Sequence, residues 1–342
     1  MDSTTPHVPR QRIAVASLGG TITMTSADSN ETGVRPTLSA EQLLATVPGL
    51  SDVAELHATT LNTAPSASLT YQDVLRGLDW ARDQIGNGAA GAVLIQGTDT
   101  IEETAYLLDL YWDLPAPLVV TGAMRPPQAP GADGPANVMA AVRVACADGS
   151  RGRGVMVVLN DEIHAASRVR KTQASQPNAF VSPVFGPLGY VTENQPVYGD
   201  TAAAAGRRTV PRPDSFVTPR VALLETFLED HGELLETVAD NEFHGVVLAG
   251  FGVGHVSAAC AEVVERVSGT IPVILATRTG AGSTHQSSYG FPGSESDLIA
   301  KGAIPAGWLD ARKARILLTC LIAGGSTKAD IRAEFGFRSQ PS

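Results

Sequence analysis

The chain has 342 residues, of which 43% are hydrophobic and 18% charged, and its formal net charge is −10. This composition is typical of a soluble globular protein large enough for two domains, and the acidic balance argues against a surface for nucleic acid or anionic membranes. The first twelve residues are polar and the sequence contains no run of 18 apolar residues, so we expect a cytoplasmic chain without a membrane span.

Strand-like and helix-like segments alternate along the N-terminal two-thirds of the chain. Short apolar runs predict strands at residues 12–17, 53–61, 93–96, 117–121 and 154–160. Capped segments with helical periodicity predict helices at residues 39–47, 70–85, 101–110 and 137–147. Apolar strands separated by helices predict a parallel-rich sheet that is covered on both faces.

The pattern loosens from about residue 186 to residue 219, where Pro, Gly, Ala and Arg are frequent. Alternation then resumes, with predicted strands at residues 221–225, 246–249 and 273–276 and two helices after Asp310. We therefore predict an α/β fold with a larger N-terminal domain that holds the main catalytic residues and a smaller C-terminal α/β domain. The predicted boundaries are a disordered segment 1–11, the N-terminal domain 12–200, a linker 201–217 and the C-terminal domain 218–342.

Cysteine and histidine give no sign of a metal site. Cys146, Cys260 and Cys320 each fall in an apolar helical stretch and are predicted to be buried structural thiols. The closest histidine pair, His244 and His255, is eleven residues apart, which is not a zinc-binding spacing. We expect neither a metal nor a cofactor.

Glycine, hydroxyl and charged residues follow several of the predicted strands. Gly19-Gly20-Thr21 follows the first strand, Gly97-Thr98-Asp99-Thr100 follows the third, and Ala123 lies in the turn after the fourth. Residues 160–164 follow the fifth strand, and Lys171 comes soon afterwards. Ligands of open α/β sheets bind beyond the carboxyl ends of the strands, so these residues are predicted to meet in one crevice.

Each of these residues also has a simpler structural explanation. A Gly-Gly pair after a strand often makes only a tight turn, and Thr98 or Thr100 can cap the helix that follows. Asp99 would also suit the start of a helix, and a lone Lys171 would usually be a surface residue. The functional hypothesis rests on the convergence of a hydroxyl, a carboxylate and an ammonium group at one edge of a sheet.

Such a crevice has the groups needed to transfer an acyl group from an amide or ester to water. A threonine hydroxyl becomes a nucleophile when a neighbouring base takes its proton, and a lysine in a desolvated site can be that base. A carboxylate beside them can hold the lysine or bind an ammonium group on the substrate. Backbone N–H groups in glycine-rich turns can stabilise an oxyanion by about 3–4 kcal/mol per donor.

Several segments resemble the bacterial L-asparaginases, including the glutaminase-asparaginases. The similar segments include LGGTI, IQGTDTIEETAYLL, VVTGAMRPP, DGPANVMAAV, VVLNDEIHAASRVRKT and YGFPGSESDLIAKGAIPAGWLDARKARILL, in the order and spacing of that family. The resemblance extends from about residue 12 to residue 335. It implies an asparaginase-like fold and hydrolysis of the side-chain amide of asparagine, sometimes glutamine, to the acid and ammonia. It also implies a homodimer or homotetramer whose active sites lie at subunit contacts.

The resemblance also implies roles for individual residues. Thr98, Asp99 and Lys171 match the family's Thr-Asp-Lys set, in which Asp99 would bind the α-ammonium group of the substrate. Ser66 matches a serine that contacts the substrate's α-carboxylate. The remaining predicted site residues are Thr21 in the catalytic set and Gly20, Gly97, Ala123, His255 and Tyr289 among the substrate contacts. His255 aligns with an asparagine that the partner subunit supplies in the family.

The first motif departs from the family at its most important position. Leu18 stands where the family has its usual nucleophile, a threonine, and the lid segment 25–36 contains no activating tyrosine. Tyr289 would replace that tyrosine only if its loop entered the site. Three hypotheses remain: Thr98 is the nucleophile with Lys171 as base, Ser17 or Thr21 supplies the hydroxyl, or the protein no longer cleaves asparagine. The third hypothesis has two forms: the protein hydrolyses an apolar amide, an imide or a lactone, or it is a non-catalytic protein that binds an amino acid.

Overall fold

A computed structural model of the chain describes residues 10–20, 24–25, 35–36, 39–199 and 207–340. The predicted disordered segment 1–11 and the predicted linker 201–217 lie largely or partly outside these residues. The chain divides into two compact units, Met1–Arg207 and Arg208–Ser342. The structure has the predicted α/β class, with a larger, parallel-rich N-terminal sheet and a separate parallel C-terminal sheet.

The N-terminal unit is built on a sheet that, within the described residues, has eight strands. Five neighbouring strands are parallel, in the order β7-β6-β5-β1-β4. These five strands are β1 (Arg12–Ser17), β4 (Glu55–Thr60), β5 (Gly91–Ile95), β6 (Leu118–Thr121) and β7 (Val155–Leu159). Every residue of β5, β6 and β7 is buried, as expected for parallel strands that are covered on both faces.

Three antiparallel strands extend this sheet beyond β7, and the sequence prediction missed them. They are β8 (Glu162–Ala165), β11 (Gly189–Thr192) and β12 (Gln195–Tyr198). Residues 160–164, predicted to be a functional loop, are instead a tight turn at Asn160 and Asp161 followed by β8. The start of the segment predicted to be loosely structured, from residue 186, is likewise a β-hairpin. Both turns consist of two residues with positive φ, the geometry that suits the right-handed twist of a hairpin.

The helices of the N-terminal unit cover the two faces of the sheet. They are α1 (Ala40–Ala45), α2 (Leu50–Val53), α3 (Tyr71–Gly86), α4 (Ile101–Tyr111) and α5 (Gly134–Cys146). Ser39 and Thr70 are the N-caps of α1 and α3, as predicted, and both form capping boxes, of which only the one at Ser39 was predicted. One core cluster joins α1 and α5 to the side chains of Ile13, Val93 and other strand residues on the same face.

Two small two-stranded pairs complete the N-terminal unit. β2 (Met24–Thr25) pairs with β3 (Arg35–Pro36), and β9 (Arg170–Lys171) pairs with β10 (Phe180–Val181), in both cases antiparallel. The second pair matters for the site because it contains Lys171.

The C-terminal unit has a parallel sheet in the order β13-β14-β15-β16, counted over the described residues. Its strands are β13 (Val221–Glu225), β14 (Gly245–Gly250), β15 (Val273–Thr277) and β16 (Ile304–Pro305). Its helices are α6 (Glu233–Asp240), α7 (Ala258–Ser268), α8 (Glu295–Ala300), α9 (Ala311–Ala323) and α10 (Lys328–Arg338). None of the helices formed by the described residues combines the length and apolar character needed to cross a membrane.

The cysteines lie on helices, as predicted, although they differ in burial. Cys260 and Cys320 are buried, whereas Cys146 is half-buried at the end of α5, and all three are free thiols. Burial raises the pKa of the Cys260 thiol to about 12 and that of Cys146 to about 11, so neither is a reactive thiolate at neutral pH.

Candidate active site

The candidate site begins where β5 ends. Gly97 continues the chain in an extended conformation, and Thr98–Thr100 forms a single 3₁₀ turn that leads directly into α4. This turn holds Thr98 only 6% exposed, whereas the side chain of Asp99 is 63% exposed. One edge of the sheet therefore presents a buried hydroxyl beside an accessible carboxylate.

Lys171 joins these two side chains. Its Nζ atom lies 3.0 Å from Thr98 Oγ1 and 3.0 Å from Asp99 Oδ1. The lysine side chain is only 16% exposed, so most of its length is packed against protein. An ion pair with a carboxylate as accessible as Asp99 stabilises a fold by at most about 1 kcal/mol. The ion pair therefore adds little to the stability of the fold.

Ser66 supports the same turn from a neighbouring loop. It lies in the 3₁₀ turn Ser66–Ser68, is 3% exposed, and accepts a hydrogen bond from the Asp99 N–H at 3.2 Å. Its carbonyl oxygen accepts a hydrogen bond from Thr100 Oγ1 at 3.1 Å. Ser66 is therefore in direct contact with the predicted catalytic turn, and it holds the backbone that carries Asp99.

Two glycines make a close approach of main chains possible. Gly20 has φ +98°, and a Cβ atom at this position would lie 2.0 Å from the Gly97 nitrogen. A Cβ atom on Gly97 would lie 2.6 Å from Ser66 Oγ. Only glycine fits at either position, so the end of β1 and the end of β5 meet without side chains between them.

Ala123 lies in the turn after β6, 1% exposed. Asp133 and Asn137 hold this turn. Asp133 accepts hydrogen bonds from the N–H groups of Met124 and Arg125, each at 2.9 Å. The Asn137 side chain donates to the Gly122 carbonyl oxygen at 2.9 Å. The predicted segment DGPAN therefore shapes the Ala123 turn.

Leu18 is a buried core residue. It is 1% exposed, and both of its methyl groups lie 3.8 Å from the point that a Cβ atom on Gly77 of α3 would occupy. Its N–H donates to the Ile95 carbonyl oxygen at 2.8 Å, which continues the pairing of β1 with β5. Ser17, a second candidate source of the hydroxyl, is also buried, and its Oγ accepts a hydrogen bond from the Gly19 N–H. Thr21 lies outside the described residues.

His255 and Tyr289 belong to the C-terminal unit, where they contact each other. Their rings meet edge to face with centroids 4.9 Å apart, and the Phe291 ring lies 5.0 Å from His255. His255 Nε2 is 3.1 Å from Oε2 of Glu295, whose side chain is fully buried. Burial would raise the pKa of Glu295, but hydrogen bonds from Tyr289 N–H, Ser288 N–H and His255 outweigh it and hold the pKa below its ordinary value. The glutamate therefore fixes both the histidine and the loop that carries Tyr289.

The sequence prediction did not single out two polar groups beside the turn. Glu102 is 4% exposed on α4, and its Oε2 atom accepts a hydrogen bond from the Lys171 N–H at 3.1 Å. Gln96 is fully buried, and its Nε2 atom donates to Thr100 Oγ1 at 3.2 Å. Both residues belong to the segment IQGTDTIEETA, where each is a polar residue at a position that is otherwise apolar. That polarity was the sequence signal that could have identified them. Across the described residues, no three His, Cys, Asp or Glu side chains are grouped to hold a metal ion.

Comparison with known proteins identifies the family. Residues 12–203 match the asparaginase N-terminal family model, and residues 220–335 match the glutaminase/asparaginase C-terminal domain. The chain is 31% identical to probable L-asparaginase 4 of Schizosaccharomyces pombe, covering 95% of this chain and 90% of the relative. It is 30% identical to the L-asparaginase of Bacillus licheniformis, covering 95% of this chain and 99% of the relative.

A solved structure agrees with the sequence comparisons. The probable cytoplasmic L-asparaginase of Campylobacter jejuni superposes with a TM-score of 0.84 at 30% identity, covering 95% of this chain and 99% of that one. Together, the two matched domains span most of the sequence, and the similarity to named L-asparaginases spans nearly all of it. The chain therefore belongs to the asparaginase family, and it is an amidohydrolase that acts on a carbon–nitrogen bond other than a peptide bond.

Proposed function

We propose that this protein hydrolyses the side-chain amide of L-asparagine to L-aspartate and ammonia, with Thr98 as the nucleophile and Lys171 as the base. One observation carries the assignment: Lys171 Nζ lies 3.0 Å from both Thr98 Oγ1 and Asp99 Oδ1. Thr98 is 6% exposed, so its hydroxyl lies in a largely water-excluded setting. Leu18, at the family's nucleophile position, has no group that can attack a carbonyl.

The reaction follows from these contacts. Lys171 takes the Thr98 hydroxyl proton as Oγ1 attacks the amide carbon. The tetrahedral intermediate collapses when the same proton passes from Lys171 to the departing nitrogen, which leaves as ammonia. A water molecule then attacks the acyl ester, gives a proton to Lys171 and releases aspartate. The returning proton restores the Thr98 hydroxyl.

Asp99 and Ser66 are proposed to hold the amino-acid end of the substrate. The exposed carboxylate of Asp99 would pair with the α-ammonium group, and Ser66 Oγ would donate to the α-carboxylate. The main chains of Gly20, Gly97 and Ala123 are proposed to line the remainder of the substrate site. Thr21 is proposed as a further catalytic hydroxyl on the basis of its position in the first motif alone.

We further propose that the protein is a homo-oligomer in which His255 and Tyr289 of one copy serve the site of another, as the family resemblance implies. Tyr289 is 48% exposed and the side chain of His255 is 21% exposed, so both present surface to a second chain. Mixing a Thr98→Ala variant with a His255→Ala variant under exchange tests this. Recovery of activity in the mixture is expected, and activity no greater than the sum of the two variants would contradict it.

The cytoplasm is proposed as the location of the reaction. The Campylobacter jejuni relative is called cytoplasmic, whereas a 31% identical Haemophilus influenzae relative is a probable periplasmic L-asparaginase. Cell fractionation distinguishes the two, with the enzyme expected alongside a cytoplasmic marker.

A second candidate keeps the reaction but changes the substrate. Leu18 has an apolar side chain where the family has a hydroxyl, which favours a less polar amide, a cyclic imide or a lactone. Ammonia release, measured over L- and D-asparagine, L- and D-glutamine and small apolar amides, separates the candidates. Ring opening of imides and lactones is followed in parallel by chromatography. The highest kcat/KM is expected for L-asparagine. If kcat/KM were tenfold higher for another compound, that compound would be assigned as the substrate instead.

A further inference from the structure

Lys171 lies on a short two-stranded ribbon. β9 and β10 are two residues long, and their pairing joins Lys171 to Phe180 and Arg170 to Val181. One further main-chain bond, from the Thr172 N–H to the Ala179 carbonyl oxygen, extends the ribbon. An isolated two-stranded ribbon is at best marginally stable in water. The position of the lysine amine therefore depends on what fixes this ribbon to the rest of the unit.

The contacts of the ribbon include a side-chain hydrogen bond on the side of each strand. On the β9 side, Glu102 Oε2 accepts the Lys171 N–H at 3.1 Å. On the β10 side, Ser182 follows the strand directly, and its Oγ lies 3.0 Å from Nδ1 of His164. His164 is part of β8, where it pairs with Val157 of β7. The second hydrogen bond thus connects the ribbon to the main eight-stranded sheet.

The His164–Ser182 contact is enclosed. His164 is fully buried and Ser182 is 4% exposed, so neither side chain can reach a substrate. His164 Nε2 lies 3.2 Å from Glu162 Oε2 but lacks the alignment of a hydrogen bond, so within the described residues Ser182 is the aligned partner of the ring. Burial lowers the pKa of His164 to about 4, so the imidazole is neutral near neutral pH. Loss of the serine hydroxyl would leave a buried ring nitrogen unsatisfied.

We propose that the buried His164–Ser182 hydrogen bond sets the position of the Lys171 amine, and that His164 and Ser182 are positioning residues for the reaction. This inference rests on the proposed role of Lys171 as the base. The mechanism is geometric. If the β10 side of the ribbon is released, Lys171 Nζ moves away from Thr98 Oγ1, and a displacement of about 1 Å can cost about 100-fold in rate. Binding of the amino-acid end is affected less, because Asp99 and Ser66 lie outside the ribbon.

The experiment compares Ser182→Ala with a matched control, Ser150→Ala. Ser150 is fully buried in the same unit, and its Oγ makes a 2.6 Å hydrogen bond with Tyr198 OH that has no link to the ribbon. His164→Leu removes the contact from the other side. His164→Asn places an amide group near the former Nδ1 position and should keep the bond to Ser182. Thermal unfolding, kcat and KM for the best substrate are measured for every variant.

We expect kcat to fall about 10- to 100-fold in Ser182→Ala and His164→Leu, with KM within about threefold of the native value. Ser150→Ala should lose comparable thermal stability but keep kcat within about twofold, and His164→Asn should recover most of the rate. Equal kcat losses in Ser182→Ala and Ser150→Ala, or no recovery in His164→Asn, would overturn the inference.

Lys171→Met separates this inference from the proposed function. If Lys171→Met keeps native turnover, the proposed base is wrong. If Lys171→Met is inactive while Ser182→Ala behaves like Ser150→Ala, the base is supported and the positioning role of His164 and Ser182 is wrong.

Discussion

Leu18→Thr restores the first motif of the family and tests how much that position matters here. Leu18 is 1% exposed and packs toward Gly77 of α3. Because Ser17 pairs with Ile95, the residue at position 18 lies beside Gln96 on the same face of the sheet. Gln96 Oε1 is buried and, among the described residues, has no hydrogen-bond partner. The substitution therefore removes apolar packing against α3 and places a hydroxyl on the face of the sheet that also holds Gln96 Oε1.

The expected loss of stability follows from these contacts. Full burial of a leucine side chain contributes about 1.5–3 kcal/mol, and the cavity left by a smaller side chain adds to the loss. Burying a hydroxyl costs a further 1–3 kcal/mol or so when it is unpaired, but a bond to Gln96 Oε1 would offset most of this. We expect a net decrease in the unfolding free energy of about 2–3 kcal/mol. For a unit of 207 residues this corresponds to a decrease in Tm of about 4–12 °C.

Thermal unfolding and asparagine turnover are measured together, with Leu18→Met as the control because it retains an apolar side chain of similar volume and should cost less than about 1.5 kcal/mol. Turnover of Leu18→Thr should change by less than about threefold, because the new hydroxyl has no activating base of its own. An unchanged Tm would mean that Leu18 is not packed as described. A tenfold gain in turnover would mean that position 18, rather than Thr98, supplies the effective nucleophile.

Three further predictions follow from individual contacts. Asp99→Asn should raise KM for asparagine by about 10- to 100-fold, a loss of about 1.5–3 kcal/mol, yet leave an amide without an α-ammonium nearly unaffected; equal losses for both compounds would refute the ammonium contact. Gly20→Ala should destabilise the protein by at least about 2 kcal/mol in urea unfolding, because its Cβ would meet the Gly97 backbone, and an unaltered midpoint would contradict that geometry. The unfolding free energy should fall by about 2–3 kcal/mol as the pH drops from 6.5 to 4, because in this range only the unfolded chain protonates His164. The His164→Asn variant should lack this decrease. If the difference in unfolding free energy between the native protein and the variant did not change with pH, the prediction would be refuted.

Much of the N-terminal fold was predictable because its central strands are short apolar runs with capped helices between them. Ser39 and Thr70 start helices as predicted, and β5 ends one residue before the predicted Gln96. The antiparallel edge was missed for a physical reason. Asn160-Asp161 and Glu193-Asn194 are hairpin turns with positive φ, but their polar side chains resemble those of a ligand-binding loop.

The sequence predicted which residues form the candidate site better than it predicted the contacts that hold them in place. The sequence pointed to Thr98, Asp99 and Lys171 because family motifs surround them, and the structure brings these three side chains together. The supporting contacts of His164 and Ser182 join residues 18 positions apart across a ribbon and a sheet edge. Such a contact depends on strand order, which no local pattern specifies.

Thr98→Ala gives the most direct measurement, with turnover on asparagine compared with that of Thr98→Ser. If Thr98 is the nucleophile, the alanine variant should lose about three or more orders of magnitude in kcat while its unfolding midpoint stays near the native value, and the serine variant should retain measurable turnover. A folded Thr98→Ala enzyme that keeps more than about a tenth of native kcat would contradict the assignment of Thr98 as nucleophile.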